Sequence, residues 1–188
     1  MDKEIVIIEG PAGSGKSRLT DELVRFGYYL PKRVKLTRGL RNFGKTADKL
    51  SMLKDQAALT EAVISDYEKI VIDRCFFSQL VYESIRQGHS AELYAQEYAV
   101  ELINKVRQLN SEISLRNFSD PNILRLKIVW VIPEPQHLEL FRAMGEKEYP
   151  FPLQKEWWEY SQLSQILGGI TYIPYPDQNV KDILDAIL

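Results

Sequence analysis

One stretch limits what this chain can fold into more than any other: Gly10-Pro11-Ala12-Gly13-Ser14-Gly15-Lys16-Ser17 fits G-x-x-x-x-G-K-S. The pattern carries meaning only between a buried strand and a helix, and both flanks comply. Ile5-Val6-Ile7-Ile8 is an apolar, β-branched run ahead of it, and Arg18 to Phe26 behind it has the apolar spacing of an amphipathic helix. Glycines let the backbone N–H groups turn inward and the helix start adds its positive dipole end, so the stretch makes a cradle for phosphate oxygens. Lys16 is expected to reach the β- and γ-phosphates of a nucleotide triphosphate, taken as ATP. Ser17 is expected to ligate Mg²⁺, and Arg18 to line the same site.

The remaining pattern alternates strand with helix. Val34-Lys35-Leu36-Thr37, Lys69-Ile70-Val71-Ile72-Asp73, Leu126 to Ile132 and Ile170-Thr171-Tyr172-Ile173 read as strands two to five. Gly27 and Pro31 mark a turn before the second strand. Helical spacing recurs over Thr46–Tyr67, Ser78–Arg86, Ala91–Leu109, Leu138–Met144, around Trp157–Leu163 and over Val180–Leu188. Trp157, Trp158, Tyr160 and the tyrosines Tyr94 and Tyr98 of the Ala91–Leu109 helix are expected in the core. The pattern implies an α/β fold of the P-loop NTPase kind, a three-layer α/β/α sandwich on a five-stranded parallel sheet with helices on both faces. A single domain over 1–188 is expected, with 142–152 as a short lid.

Several classes drop out on composition. The formal net charge of −2 gives no bulk pull toward polyanions, so a nucleic-acid partner is disfavoured, though a local patch leaves it open. No apolar run approaches the roughly 20 residues that span a bilayer, and a membrane partner is not expected. Cys75 is the single cysteine, and Met1-Asp2-Lys3-Glu4 runs into a strand without a signal-peptide pattern, which points to a reducing, cytoplasmic setting. A regulatory GTPase would need N-K-x-D, whereas Asn104-Lys105-Val106-Arg107 lacks the Asp. His89 and His137 are isolated and suggest no metal site.

Ligands of parallel sheets gather at the carboxyl ends of the strands. The second strand ends beside Arg38, with Arg41 a loop step beyond, and the third ends in Asp73-Arg74. Asp73 is placed to serve the metal, and guanidinium groups facing a phosphate loop suit a second phosphorylated group.

Asp73-Arg74-Cys75-Phe76-Phe77-Ser78-Gln79-Leu80-Val81-Tyr82-Glu83 resembles the D-R-Y-x-x-S-x-x-A-Y-Q segment of thymidylate kinases. Glu9-Gly10 is similar to that family's E-G entry into the loop, Thr37-Arg38-Gly39 to its T-R segment, and Pro133-Glu134 with Arg142 to its fourth strand end and first lid arginine. The resemblance implies phosphoryl transfer from ATP to a nucleoside 5′-monophosphate, a deoxynucleoside being expected, and a possible homodimer. It gives Arg38 and Arg74 to the acceptor phosphate and Asp73 and Ser17 to the metal. Ser78 and Tyr82 go to the acceptor pocket, and Arg142 with Lys147 to the lid. Glu9, Arg41 and Glu83 are further candidates on the acceptor side. Ala12 and Glu83 stand where the family has an acid and a Gln. The loop wording is similar to deoxynucleoside kinases as well, so a deoxynucleoside kinase, a kinase of another small molecule or of a polynucleotide 5′ end, and a kinase-like binding module all stay open.

Overall fold

The computed structural model describes residues 3–31, 62, 65–75, 77–88, 124–145, 149, 151–175 and 181–187. Within them four strands form one parallel sheet: β1 (Lys3–Glu9), β2 (Lys69–Asp73), β3 (Leu124–Val131) and β4 (Ile170–Tyr172), in the order β2-β1-β3-β4. The helices are α1 (Lys16–Arg25), α2 (Phe77–Gln87), α3 (Pro135–Met144), α4 (Leu153–Leu167) and α5 (Lys181–Ile187). β1 is central, paired with β3 from Lys3–Leu124 to Glu9–Trp130 and with β2 from Glu4–Lys69 to Ile8–Asp73.

A strand buried on both faces has no room for polar alternation, and the four apolar residues of β1 divide between two cores. Ile5 and Ile7 pack with Ile70, Ile72 and Trp130 under Phe77 and Val81 of α2 and Tyr160 and Leu163 of α4. Val6 and Ile8 pack with Val71, Val129 and Val131 under Leu19 and Leu23 of α1 and Ile183, Leu184 and Ile187 of α5. Helices therefore cover both faces, and the chain is the three-layer α/β/α sandwich that the strand-helix alternation implied.

The second of the five expected strands, Val34–Thr37, lies outside the described residues. The side of β2 away from β1 is met by Tyr29, whose N–H donates to the Lys69 carbonyl at 2.8 Å and whose carbonyl accepts from Val71 N at 2.9 Å. Tyr29 thus pairs with the sheet inside the span read as a turn from Gly27 to Pro31. The helices expected at Thr46–Tyr67 and Ala91–Leu109 also fall mainly outside the described residues.

Three expectations need correction. Helix Thr46–Tyr67 does not reach Tyr67: Ser65 and Asp66 form a bend, and Tyr67 is half exposed with its ring stacked on Tyr29 at 3.8 Å. Lys3 Nζ and Ser65 Oγ both donate to the Ala62 carbonyl, at 3.2 and 2.8 Å, satisfying a helix-end acceptor before the chain turns into β2. α3 begins at Pro135 instead of Leu138, because a proline at the first helical position has no N–H to leave unsatisfied. Trp158 is 57% exposed, so it is not core, whereas Tyr160 is fully buried and Trp157 is half-buried with Nε1 donating to the Pro133 carbonyl at 2.8 Å. No helix among the described residues is long and apolar enough to cross a membrane.

Candidate functional site

β1 hands the chain to the loop at Gly10, where φ is 147°. A Cβ there would lie 2.2 Å from the Val131 carbonyl oxygen, so the backbone passes β3 at a distance that only glycine allows. Gly15, in the left-handed conformation, precedes α1, and no side chain caps that helix. Its first N–H groups are left to an anion. Lys16 is buried, and its Nζ donates to the Pro11 carbonyl and, at 3.2 Å, to Ser14 Oγ. Burial, followed by the charge of Arg74, holds the Lys16 ammonium well below the ordinary lysine range, while Asp73, Glu9 and Glu156 oppose the shift. A buried and a half-buried cation that disfavour each other are both relieved by a polyanion placed between them. Ser17 and Arg18 are exposed at the helix start.

The end of β2 faces this loop. Asp73 carries a buried Oδ1 without a hydrogen-bond partner, and Arg74 follows with φ at 66°, a left-handed conformation uncommon outside glycine. Two hydrogen bonds across to β1 hold that conformation: Arg74 N donates to the Ile8 carbonyl at 2.9 Å and Cys75 N to Glu9 Oε1 at 2.7 Å. Glu9 Oε2 accepts from Ser78 Oγ at 2.7 Å, and Ser78 Oγ in turn accepts from the Tyr160 hydroxyl at 2.9 Å. Full burial pushes the Glu9 carboxyl up to about 7, against the bonds from Ser78 and Cys75 and the charges of Arg74 and Lys16. So directed, Arg74 donates from Nη1 to the Tyr82 hydroxyl, and the Tyr82 ring stacks on Phe151 with centroids 4.9 Å apart.

The third wall comes from α3 and α4. Arg142 Nε donates to the Ala12 carbonyl at 3.0 Å, Nη1 to the Phe151 carbonyl at 3.3 Å and Nη2 to Glu156 Oε2 at 2.5 Å. Glu156 Oε1 accepts the Ala12 N–H at 2.7 Å. On the outer side of the loop a cavity of about 340 Å³ is lined by Gly13, Ser14, Gly15, Arg18, Phe141, Met144, Tyr172, Pro174 and Tyr175 among others. Its mixture of loop backbone, one cation and aromatic rings suits a flat, partly apolar group carried by a phosphate chain.

The structure therefore gathers Glu9, the loop from Gly10 to Ser17, Arg18, Asp73, Arg74, Ser78, Tyr82 and Arg142 around one end of the sheet. Arg38, Arg41, Lys147 and the side chain of Glu83 lie outside the described residues. Sequence reasoning missed Glu156, Phe151 and the cavity residues Phe141, Met144, Pro174 and Tyr175. Pro174 and Tyr175 follow the end of β4, where the rule that ligands gather at strand carboxyl ends could have found them. Nothing local marks Glu156, a glutamate in the first turn of a polar-looking helix.

No protein-family model matches the sequence, and no curated protein matches it. Solved structures do share the fold. The YorR protein of Bacillus subtilis, in complex with phosphorylated GDP, is similar at 19% identity over 97% of this chain and 95% of that one, with a TM-score of 0.57. Deoxyadenosine kinase from M. mycoides, with dCMP and a flexible dCDP bound as products, is similar at 13% identity over 97% and 96%, with a TM-score of 0.61. The same kinase with bound dATP is similar at 16% identity over 97% and 96%, with a TM-score of 0.55.

Proposed function

We propose that this chain is a single-domain kinase that transfers the γ-phosphoryl group of ATP to a nucleoside 5′-monophosphate, a deoxynucleoside being preferred. The observation that carries the reading is the meeting of a complete phosphate loop, with Lys16 buried in it, and a half-buried Arg74 whose backbone is braced through Glu9 at the end of the next described strand. The cavity beside Arg18 would take the donor base, and the loop with Lys16 its phosphates. Arg74, backed by Tyr82, would hold the acceptor phosphate. An acceptor phosphate oxygen attacks the γ-phosphorus, the bond to the β–γ bridging oxygen breaks, and ADP leaves with that electron pair, so positioning and charge neutralisation suffice.

The site fits Mg²⁺, which is held through few protein oxygens and completed by substrate phosphates: Asp73 offers a buried oxygen with no protein partner, and Ser17 a hydroxyl at the helix start. That ion, when bound, neutralises charge on the donor phosphates. Residues 142–152 would close over the transferring group as a lid.

The similarity to deoxyadenosine kinase favours a second reading, transfer to a nucleoside 5′-hydroxyl. That acceptor needs a general base, and the Asp73 oxygen is the candidate among the described residues, since both Glu9 oxygens accept from Cys75 and Ser78. Incubation with ATP, Mg²⁺ and a panel of monophosphates, nucleosides and 5′-hydroxyl oligonucleotides separates the readings. Diphosphate products support the first, monophosphate products the second, and the absence of any product refutes both.

A further inference from the structure

Glu156 is an acid with no exposed surface, 144 residues from the loop whose N–H it holds. It does not act alone. Its Oε1 accepts from Ala12 N, its Oε2 from Arg142 Nη2, and Arg142 Nε donates to the carbonyl of the same Ala12. One carboxylate and one guanidinium, each nearly or fully buried, thus close a ring around a single loop residue, gripping the peptide on either side of it. Arg142 is fixed at its other edge by the Phe151 carbonyl and lies over the Tyr149 ring at 4.6 Å. The next loop residue is crowded by the same group: a Cβ at Gly13 would sit 2.9 Å from Arg142 Cγ.

We propose that Glu156 is a positioning residue for the donor, acting through Arg142 and the Ala12 backbone to set the loop that receives the ATP phosphates. This rests on the reading of the loop as the donor site. The pair has a sign as well as a shape. Glu156 already acts on the charge of Lys16, so it lies close enough to the phosphate site to repel an anion unless Arg142 neutralises it. Removing Arg142 alone leaves a buried, uncompensated negative charge beside the donor phosphates, whereas removing both charges leaves none. A direct phosphate ligand would behave differently, because no second substitution could restore what its loss removes.

The test uses the whole chain and binding of ADP and ATP measured by calorimetry, with far-UV circular dichroism as the check on folding. Arg142→Ala is expected to raise the donor Kd about tenfold or more, and adding Glu156→Gln to it to recover about half of that loss in logarithmic terms. Glu156→Gln alone should raise the donor KM while leaving the acceptor KM within about twofold, a split that a general loss of stability would not produce. A double variant binding no better than Arg142→Ala, or a Glu156→Gln that shifts both KM values alike, overturns the proposal. Exchange of the Ala12 amide with solvent, followed by NMR without any nucleotide, gives an independent answer. It should quicken in Glu156→Ala; an unchanged rate overturns the clasp. Failure of the wild-type chain to bind any adenine nucleotide would refute the donor reading instead, and the amide exchange would still decide the clasp.

Discussion

The two sides of the site are held by opposite means. Around Lys16 the backbone makes the surface: a loop with three glycines at positive φ leads into a helix that no side chain caps. Around Arg74 side chains do the work, in a relay from Tyr160 to Ser78 to Glu9 to the Cys75 N–H, with links spanning 82, 69 and 66 residues of sequence. A backbone-built surface depends on a few positions where one residue type fits. A relay depends on every link, and each link is a single side chain that can be replaced without clash. On the proposed assignment, the donor side around Lys16 should therefore fail abruptly and the acceptor side around Arg74 by degrees.

The largest effect that sharpens this contrast is expected at Lys16. Lys16→Met keeps the length and apolar stem while deleting the charge, so the fold survives and phosphoryl transfer falls by about 10³-fold or more. Turnover within tenfold of wild type, with an unchanged circular dichroism spectrum, would falsify the donor assignment. Next comes Arg74→Gln, expected to lower kcat/KM for the acceptor by roughly 10²-fold while the donor Kd stays unchanged. Equal losses on both sides would erase the division between them.

A third measurement uses pH. Burial lifts the Glu9 carboxyl from its ordinary 4.5 to about 7, so between those values the folded chain keeps a proton that the unfolded chain has released. Stability from this group is complete below about 4.5, falls as pH rises, and is gone above about 7, a loss of about 3 kcal/mol if Glu9 acts alone. Glu9→Gln cannot ionise, so its melting temperature should gain on the wild type from about pH 4.5 to about 7 and level off above that. Parallel curves would mean that Glu9 is not the titrating group.

The same contrast explains what was readable in advance. The loop, β1, β2 and β3 stand out because each is a local pattern: glycine spacing, or apolar runs that burial on both faces requires. Asp73 and Arg74 were readable because a strand end puts adjacent residues at the ligand edge. Glu156 was not, since its partners lie 144 and 14 residues away and nothing near it differs from an exposed helix. Trp158 misled for a related reason. Two adjacent tryptophans on a helix point about 100° apart, so the burial of one works against the burial of the other. Pro135 reads equally as the stop of one element and the start of the next, and only the burial of Leu138 one turn on decides which.

The smallest expected effect tests the far end of the relay. Burial keeps the Tyr160 phenol protonated well beyond its usual range, so at neutral pH it donates to Ser78 Oγ, which donates onward to Glu9. Tyr160→Phe retains the buried ring and removes this one donor, at a cost of about 1 kcal/mol measured by chemical denaturation. Ser78 still reaches Glu9, so the acceptor kcat/KM should fall only about two- to threefold, and donor binding not at all. Ser78→Ala cuts the relay in its middle, removing the phenol's acceptor at that position and the donor to Glu9 Oε2, and should cost more than Tyr160→Phe on both measures. If Tyr160→Phe proves as harmful as Ser78→Ala, the hydroxyl steadies the acceptor side by a path other than Glu9, and the relay is not a chain of separable links.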